Sequence, residues 1–553
     1  MEPCSDHVVS FISAVSTPPA QAAQQQGGVQ DEVITFHAEH LRQSSAVGGT
    51  RYEEHQHCLV TANYRQHTAE DMSLPGLSLP GLRATPSTST PLPGAQSTSA
   101  PPRTETLQSK QEWRFEVSFS QKYHIKVEHG HAELFGVELA QKQLYTFSGC
   151  KGAILSWQGC QLEISGNAES EYAGQETEYA DEWLNVHGWL SNLRVQSSGD
   201  GPRVLVVGPD FAGKSSLVRS LAAWGVRTGD SPTILNLNPR EGLLAPPGSL
   251  TAVTCDSQMD VETGYGIGPM SGPTVSPIRT PLIYSFPFAS PTESPSVFKA
   301  LITRMALSVT SRLEDSAPIK RSGLIIDTPG TLNDHKSSYD LITHIISEFS
   351  INMVLTLGSE RLTADLTRKF STQTDDDPIT VLRITKPSGA VERDSTFLKT
   401  LRTQQLRHYF FGSATETLAP HTHTIKFDNV DLFRVKSGTA SVPDETSFGG
   451  AGDDDDDDYD VPYANSKPTS NATFEKITPS AAMTGGMVAI KFCPGSSDEQ
   501  TVRDSAVMGF AYVSEVNEAK RNVRFLAPHP QQWGNRALVW GHGWPEAVAD
   551  LVA

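Results

Sequence analysis

Hydrophobic and polar residues alternate in short runs over the segment that begins near Glu112. The run from Trp113 to Phe119 has a large apolar side chain at every second position, and similar runs, separated by glycines, recur up to Ile164. A period of two is that of a strand with one buried face, and short strands divided by turn residues are typical of antiparallel sheets. We therefore predict a small N-terminal β domain over residues 111–197.

The pattern changes after this β domain. A continuous apolar run, Val204–Val207, precedes a glycine-rich turn and a helix predicted to begin at Ser215, and further apolar runs follow at Gly323–Ile326 and Met353–Leu357. Between the last two runs, apolar residues recur at helical spacing, which indicates a connecting helix. Strands that alternate with helices predict a parallel sheet. Residues 198–418 are therefore predicted to form a central α/β domain.

Strand-type alternation returns from residue 419 onward and predicts a C-terminal β-rich domain over 419–553. An acidic, serine- and proline-rich insertion near residues 443–480 interrupts it and contains six consecutive aspartates, Asp453–Asp458. Like charges this close repel one another in a compact element, so we predict a solvated loop, with a docking site for a basic partner as the alternative. Residues 1–110, rich in Gln, Ser, Thr, Pro and Gly, are predicted to form a disordered tail because they bury too little apolar surface to offset chain entropy.

The charge of the chain limits what this fold can bind. It has 44 Lys and Arg against 63 Asp and Glu, a formal net charge of −19, which argues against nucleic-acid binding by a generally basic surface and confines any phosphate binding to a local site. No apolar stretch approaches the roughly 18 residues of a spanning helix, so no membrane partner is expected. The cysteines have no CxxC spacing, which fits reduced intracellular thiols rather than a disulfide framework or a zinc site.

One segment carries a specific chemistry. Gly208–Ser215 reads Gly-Pro-Asp-Phe-Ala-Gly-Lys-Ser and matches GxxxxGK[ST] between a predicted strand and a predicted helix, the two contexts that a phosphate-binding P-loop requires. Its backbone N–H groups point inward around a polyphosphate, and the new helix adds unpaired amides and the positive end of its dipole. Lys214 is expected to neutralise the β- and γ-phosphate oxygens, and Ser215 to bind Mg²⁺. The predicted nucleotide-binding residues here are Phe211, Ala212, Gly213, Lys214, Ser215 and Ser216.

Asp327 ends the apolar run that begins at Leu324. A carboxylate in this place lies near the phosphate-bound cation, so Ser215 and Asp327 are the predicted metal ligands. The continuation to Gly330 also fits the DxxG of GTPases, which makes a GTPase switch a rival hypothesis. The segment nearest to the guanine-reading Asn-Lys-x-Asp is Thr385–Ser388, which reads Thr-Lys-Pro-Ser and lacks the acid. Guanine selectivity therefore has no visible basis.

Several further segments, taken in their order along the chain, carry a resemblance to a known family. They are Glu112–Val117, Ala132–Gly136, Ser156–Cys160, Asn185–His187, Pro281–Tyr284, Ser359–Leu362, Lys386–Gly389, Val391–Arg393 and Arg407–Gly412. With the P-loop, they make the chain similar to the ATP-binding subunit of the eukaryotic mRNA cleavage and polyadenylation factor, in its fungal form, a family related to polynucleotide 5′-hydroxyl kinases. The resemblance covers the chain from about Glu112 to the C-terminus.

The resemblance implies a protein that binds ATP and Mg²⁺ between its N-terminal and central domains. Glu112 matches the family acid on the adenine side, and Lys151 matches its basic companion. The resemblance also implies a nuclear protein within a cleavage factor, in contact with the scaffold subunit that binds the RNA polymerase II C-terminal tail. Other 3′-end processing factors are implied partners, and pre-mRNA would be reached indirectly.

The chain departs from the active RNA kinases of this family at their reactive groups. Asn238 stands where the resemblance places the Asp that accepts the 5′-hydroxyl proton, and a neutral amide cannot act as a general base. Arg393, Arg402 and Arg407 bracket a helix predicted over Phe397–Phe410 and are candidates for a lid over the phosphates. Arg402 and Arg407 match two family arginines, whereas Gln405 stands in place of a third. Thr331 stands where an RNA-stacking Trp is expected.

We therefore expect an ATP-binding component that is required for endonucleolytic cleavage during polyadenylation-dependent pre-mRNA 3′-end formation. In this hypothesis ATP is a structural ligand that is not turned over, and no residue is assigned a catalytic role. The alternative is an active polynucleotide 5′-hydroxyl kinase in which another acid, such as Glu241, replaces the missing base.

Overall fold

The computed structural model describes residues 101–551 apart from positions 198, 265–280, 334–336, 372–377, 414–416, 437–473, 531–532, 542 and 549–550. All but the last ten residues of the predicted disordered tail lie outside the described residues. The Asp453–Asp458 run also lies outside them.

The N-terminal domain is a sandwich of two antiparallel sheets. Its strands are β1 (Arg103–Leu107), β2 (Gln111–Val117), β3 (Tyr123–Gly130), β4 (Glu133–Leu134), β5 (Val137–Glu138), β6 (Leu144–Phe147), β7 (Cys150–Ser156), β8 (Cys160–Gly166) and β9 (Ser170–Gly174). One sheet has the order β1-β8-β3-β6 and the other β5-β4-β7-β2-β9. Alternate residues face the space between the sheets, where Phe115, Tyr123 and Ile164 are buried. The predicted β domain is confirmed.

The first strand lies inside the segment predicted to be disordered. β1 pairs antiparallel with β8, from Arg103 opposite Ile164 to Leu107 opposite Cys160, and Leu107 is buried. The prediction placed the start of order too late, because Arg-Thr-Glu-Thr-Leu has a single large apolar residue. The ladder to its neighbour, rather than an apolar face of its own, holds this edge strand in place.

No helix is predicted above between the sandwich and the P-loop, yet α1 (Glu178–Gln196) occupies most of that segment. Its Trp183, Val186 and Leu190, spaced three and four residues apart, are buried with the P-loop helix and the strands beneath it. The helix therefore shares its core with the central domain, although the predicted range 111–197 groups it with the sandwich.

The central domain is a seven-stranded sheet with helices on both faces. Its strands are β10 (Arg203–Val207), β11 (Thr233–Asn236), β12 (Ser249–Thr254), β13 (Leu282–Ser285), β14 (Leu324–Asp327), β15 (Met353–Leu357) and β16 (Thr380–Ile384). Its helices are α2 (Lys214–Arg227), α3 (Pro295–Glu314), α4 (Ala317–Ser322), α5 (Asp340–Phe349), α6 (Glu360–Ser371) and α7 (Ser395–Phe411). Along β10, Val204 and Val206 pack in the core with α1 and α2, whereas Leu205 and Val207 pack with α3, α5 and α6.

The sheet of the central domain is mixed rather than parallel. In the order β13-β12-β11-β14-β10-β15-β16, the strands β11, β14, β10, β15 and β16 run parallel as predicted. However, β12 pairs antiparallel with β11, and β13 pairs antiparallel with β12. Residues 237–248, which connect β11 to β12, contain no crossover helix, and a parallel neighbour requires a crossover. The carboxyl ends of β10, β11 and β14 meet at one edge, which brings the P-loop, Asn238 and Asp327 together.

The C-terminal domain is β-rich, as predicted. Its elements are β17 (His421–Lys426), β18 (Asp431–Val435), β19 (Phe474–Ile477), β20 (Met487–Pro494), α8 (Glu499–Asp504), β21 (Val507–Asn517), β22 (Asn522–Ala527) and β23 (Arg536–Trp540). The strands form one sheet in the order β17-β22-β21-β20-β23-β18-β19. The predicted loop near 443–480 extends too far, since β19 lies within it. Phe474 is buried and pairs opposite Val435, so this segment is a strand of the sheet rather than part of a solvated loop.

Helix α7 connects the central and C-terminal domains. Its Leu406, Tyr409 and Phe410 are buried in the core of the C-terminal sheet, and the Phe510 backbone N–H donates to the Tyr409 hydroxyl at 2.9 Å. The second half of α7 is thus fixed to the C-terminal domain. Within the part of the chain that the structure describes, no helix combines the length and the apolar character needed to cross a membrane.

Candidate nucleotide-binding site

One cavity of about 520 Å³ brings the predicted site residues together. The N-terminal sandwich, the P-loop with the neighbouring strand ends, and the first half of α7 each form part of its wall. All eight predicted nucleotide-binding residues line it, and so do Asn238 and Asp327. The eight are Glu112, Lys151, Phe211, Ala212, Gly213, Lys214, Ser215 and Ser216. Contact between these residues and a nucleotide stays a prediction.

The P-loop turns sharply between β10 and α2. Gly213, the residue before α2, has a φ of 92°, which favours glycine, and a Cβ at Gly208 would lie 2.5 Å from the Leu357 carbonyl oxygen. Helix α2 begins without a capping side chain and without an acidic residue in its first turn. Its first N–H groups and its dipole are therefore available to an anion.

Lys214 is buried at the start of α2. Its Nζ donates to the Pro209 carbonyl oxygen at 2.7 Å. Burial lowers the pKa of Lys214, and the charges of Asp327 and other nearby acids offset this only in part. A buried ammonium that is incompletely compensated gains most from a multiply charged anion such as a polyphosphate.

Ser215 and Asp327 form the cation end of the cavity. The Ser215 hydroxyl donates to Asp327 Oδ2 at 2.5 Å, while Asp327 Oδ1 is buried and has no hydrogen-bond partner among the described residues. Burial raises the pKa of Asp327 to about 6, although the Ser215 hydrogen bond and the Lys214 charge lower it. A hydroxyl and a carboxylate with an unused oxygen are the hard ligands that Mg²⁺ prefers. The two residues fit a divalent cation that is also bound by phosphate oxygens.

The opposite end of the cavity, which we call the base end, is formed by Glu112 and Lys151 on neighbouring strands. Glu112 is buried and accepts hydrogen bonds from Arg114 Nε at 2.8 Å and from the Tyr179 hydroxyl; burial raises the pKa of Glu112. Lys151 pairs with Glu116 at 2.8 Å and lies over the Phe397 ring of α7. The base end therefore presents a desolvated carboxyl group and a cation.

Arg114 connects the base end to the loop before α7. Its Nη2 donates to the Ser388 hydroxyl at 2.9 Å and to the Glu176 carbonyl oxygen at 3.0 Å. A Cβ at Gly389 would lie 2.8 Å from Arg114 Nε, so the loop backbone packs directly on the guanidinium. These contacts join the sandwich to the far wall of the cavity.

Asn238 lies in the cavity wall with its side chain engaged in a turn. Its Oδ1 accepts from the Arg240 backbone N–H at 3.2 Å, and its own N–H donates to Asn236 Oδ1 at 3.0 Å. Glu241 also lines the cavity, but both of its oxygens accept from Arg393 Nη2 at 2.8 Å. The expected base position thus holds an amide, and Glu241, the acid considered as its replacement, is paired.

Of the three lid candidates, Arg393 lines the cavity, whereas Arg402 and Arg407 do not. Arg402 Nε donates to Glu546 Oε2 at 2.8 Å, its Nη2 donates to Glu546 Oε1, and its guanidinium lies over the Trp544 ring at 4.9 Å. Arg402 therefore holds α7 against the C-terminal segment. Arg407 is likewise absent from the cavity wall, whereas Gln405 lines it and donates to the Gly242 carbonyl oxygen at 2.9 Å.

No site role was predicted for Arg114 or Tyr179. Arg114 is two residues after Glu112 in a strand, so the two side chains share a face, and this spacing was an available signal. Tyr179 comes from α1, a helix that the sequence did not predict, and no local pattern connects it to Glu112.

Family models match the chain over three consecutive ranges. The model described as "mRNA cleavage and polyadenylation factor CLP1 P-loop" matches residues 208–412. The "N-terminal beta-sandwich domain of polyadenylation factor" matches residues 106–197, and "Pre-mRNA cleavage complex II protein Clp1" matches residues 418–546.

Similar full-length proteins are found in fungi. The mRNA cleavage and polyadenylation factor clp1 of Botryotinia fuckeliana is 40% identical over 482 residues, which cover 86% of this chain and 100% of that protein. The corresponding factor of Phaeosphaeria nodorum is 42% identical with the same coverage. The chain belongs to the Clp1 family of mRNA cleavage and polyadenylation factors. The family predicted from the sequence is confirmed.

The Clp1 fold also appears in solved structures. A Clp1p–Pcf11p (454–563) complex contains a chain that is 23% identical with a TM-score of 0.69, covering 80% of this chain and 97% of that one. A second structure concerns the extended interface between Pcf11p and Clp1p and ATP loss in a point mutant; its TM-score is 0.68 at 22% identity, covering 80% of this chain and 98% of that chain. At these identities the likeness establishes the fold. A P-loop domain of the Clp1 family implies nucleotide binding.

The raised pKa of Asp327 predicts how stability depends on pH in the nucleotide-free, Mg²⁺-free protein. Between about pH 4 and pH 6 the folded state keeps the Asp327 proton while the unfolded state loses it, so wild-type stability falls as pH rises. Asp327→Asn removes this loss. Its stability relative to wild type should therefore increase by roughly 2 to 3 kcal/mol across this interval and stay constant above it.

The measurement is the free energy of unfolding from urea titrations between pH 4 and pH 8. Asp428→Asn, which replaces an acid that is 74% exposed, is the control and should show no such interval. A difference between Asp327→Asn and wild type that does not change with pH would contradict the assignment.

Proposed function

We propose that this chain is a nuclear, ATP-binding component of a pre-mRNA cleavage factor, required for endonucleolytic cleavage during polyadenylation-dependent 3′-end formation. In this proposal ATP and Mg²⁺ form a structural ligand that the protein does not turn over. The observation that carries it is a complete P-loop whose expected general-base position is an amide, Asn238.

The P-loop end of the cavity, which we call the phosphate end, supports tight binding of a triphosphate with its cation. The uncapped start of α2, the buried ammonium of Lys214, and the Ser215–Asp327 pair supply amide donors, a positive charge and cation ligands in one place. At the base end, the Glu112 carboxyl group offers an acceptor for an exocyclic amino group. The Thr385–Ser388 segment lacks the acid of the guanine-reading motif, which favours adenine over guanine.

The polar groups around the phosphate end support binding without transfer. Removing a general base typically lowers a rate by roughly 10² to 10⁴, and Asn238 cannot replace one. Glu241 is held by Arg393, and Arg402 is held by Glu546, at distances of an ordinary ion pair. In the part of the chain that the structure describes, neither Glu241 as the acid nor Arg402 as the matched arginine is therefore free.

A ligand held by three parts of the chain can act through linkage. If ATP binds only the arrangement in which the sandwich, the P-loop and α7 enclose it, bound ATP favours that arrangement by RT ln(1 + [L]/Kd). This amounts to about 3 to 4 kcal/mol when the ligand exceeds its Kd by a few hundredfold. The nucleotide would then stabilise the surface that a partner recognises.

The proposed partner is the scaffold subunit that binds the RNA polymerase II C-terminal tail, the counterpart of the Pcf11p present in the similar complexes. Other 3′-end processing factors would join through it. With a formal net charge of −19, the chain is suited to reach pre-mRNA through such partners rather than through a basic surface of its own.

Lys214→Ala tests whether nucleotide and assembly are coupled. Loss of the buried ammonium should weaken ATP binding by at least roughly tenfold, and capture of the scaffold subunit should fall with it. Both are measured on the same preparation, by isothermal titration with Mg²⁺·ATP and by pull-down. Lys399→Ala, which removes an exposed lysine of α7, should leave both unchanged. Full capture by a nucleotide-free Lys214→Ala protein would contradict the structural-ligand proposal.

The second candidate function is a polynucleotide 5′-hydroxyl kinase, and the observation in its favour is that Glu241 lines the same cavity as Asn238. Incubation with γ-labelled ATP, Mg²⁺ and a 5′-hydroxyl RNA oligonucleotide distinguishes the two. We expect no label on the RNA with wild type. The same assay with Asn238→Asp tests whether the missing general base is the only reason for the lack of transfer. Transfer by wild type that Lys214→Ala abolishes would establish the kinase instead.

A further inference from the structure

A buried carboxylate outside the nucleotide cavity joins the N-terminal sandwich to the P-loop helix. Glu133 is 4% exposed. Its Oε1 accepts from the indole Nε1 of Trp157 and of Trp224, each at 3.1 Å, and its Oε2 accepts from Arg227 Nη1 at 2.7 Å. Trp157 belongs to the sandwich, whereas Trp224 and Arg227 belong to α2. One side chain therefore satisfies donors from both domains.

The sandwich and the helix are in direct contact around this group. The β4–β5 turn lies on α2 so closely that a Cβ at Gly136 would come within 2.8 Å of the Ser220 carbonyl oxygen, and Gly136 has a φ of 81°. The Phe135 ring in the same turn packs under the guanidinium of Arg219, 4.9 Å from its centroid. Because the two elements pack this closely, water has little room to accept the hydrogen bonds that Glu133 accepts.

The two elements that Glu133 joins carry the two ends of the nucleotide cavity. Glu133 is in β4, which pairs with β7; β7 carries Lys151 and pairs with β2, which carries Glu112. Helix α2 carries Lys214 at its start and Trp224 ten residues later, about 15 Å along a rigid helix. The Glu133 contacts thus help to fix the position of the base end relative to the phosphate end.

We propose that Glu133 is a positioning residue that sets the distance between the base end and the P-loop, and so the discrimination of a nucleotide from a bare polyphosphate. The inference rests on the proposed binding of ATP. Without the carboxylate, the indole N–H groups of the buried Trp224 and the half-buried Trp157 lose their acceptor, and Arg227, which is 39% exposed, loses an ion pair. The unpaired indole N–H groups favour a shift of the sandwich away from α2. Contacts within the P-loop itself are left intact.

The test compares two ligands, Mg²⁺·ATP and Mg²⁺·tripolyphosphate, by isothermal titration of the full chain after any bound nucleotide has been removed. In Glu133→Leu we expect ATP affinity to fall by roughly tenfold, toward that of tripolyphosphate, with tripolyphosphate affinity unchanged. Glu133→Gln keeps one acceptor oxygen and nearly the same shape, so it should fall between Leu and wild type. It also provides the measurement if the Leu variant does not fold.

Glu138→Gln is the matched control. Glu138 contacts the same Arg227 through Nη2 at 3.1 Å, but it is 45% exposed. Its two affinities should equal those of wild type. A general loss of stability would lower both affinities of a variant together, so the ratio of the two separates positioning from a merely structural role.

Three outcomes would overturn the proposal or its basis. Equal loss of both affinities in Glu133→Gln would mean that the P-loop itself was disturbed, and no change in either would mean that Glu133 does not set the base end; each overturns the inference alone. Wild type that binds ATP no more tightly than tripolyphosphate would overturn the proposed two-ended grip, and the inference with it.

Discussion

A buried lysine without a full counter-charge is the constraint on which this site depends. Lys214 is held by a single carbonyl oxygen at 2.7 Å, at the positive end of an uncapped helix. Beside it, burial raises the pKa of Asp327 to about 6 and one of its oxygens has no partner among the described residues. The incompletely compensated lysine and the unpaired carboxylate oxygen each lower the stability of the folded chain when no ligand is bound. A triphosphate with its cation, as proposed, would compensate both groups at once.

The same ligand would contact parts of the chain that side-chain contacts also connect. Arg114 links the sandwich to Ser388, and Glu133 links it to α2. On the other side, α7 begins in the cavity wall and ends in the core of the C-terminal sheet, where Arg402 pairs with Glu546. The cavity therefore lies between the N-terminal and central domains, and α7 connects its wall to the C-terminal domain. A subunit that binds across those domains would distinguish the loaded protein from the empty one.

The features that could be predicted from the sequence are those encoded locally. The P-loop is a contiguous motif between a strand and a helix, and its residues and Asp327 do lie in one cavity. The alternating residues of the sandwich and the apolar run at Val204–Val207 are likewise local patterns, and each predicts which residues of its own strand are buried. The resemblance added Glu112 and Lys151, which no spacing rule connects to the P-loop.

The features that could not be predicted depend on distant pairings. Arg402 was a lid candidate by alignment, but its partner lies 144 residues later, and charge alone does not say which acid a buried arginine will meet. Glu133 finds its donors on α2 at separations of 91 and 94 residues. The edge of the central sheet is antiparallel because the segment between β11 and β12 contains no crossover helix. Strand β1 forms because β8 provides the backbone groups with which it pairs. In each case long-range packing, rather than local periodicity, decides the outcome.

The central claim is that adenosine triphosphate is a resident ligand of the folded chain. The most direct measurement is to purify the protein without added nucleotide, denature it with heat, and identify what is released by anion-exchange chromatography and mass spectrometry. We expect ATP with its triphosphate intact, close to one per chain. Release of ADP would contradict the absence of turnover, and release of a guanine nucleotide or of none would contradict the identity of the ligand.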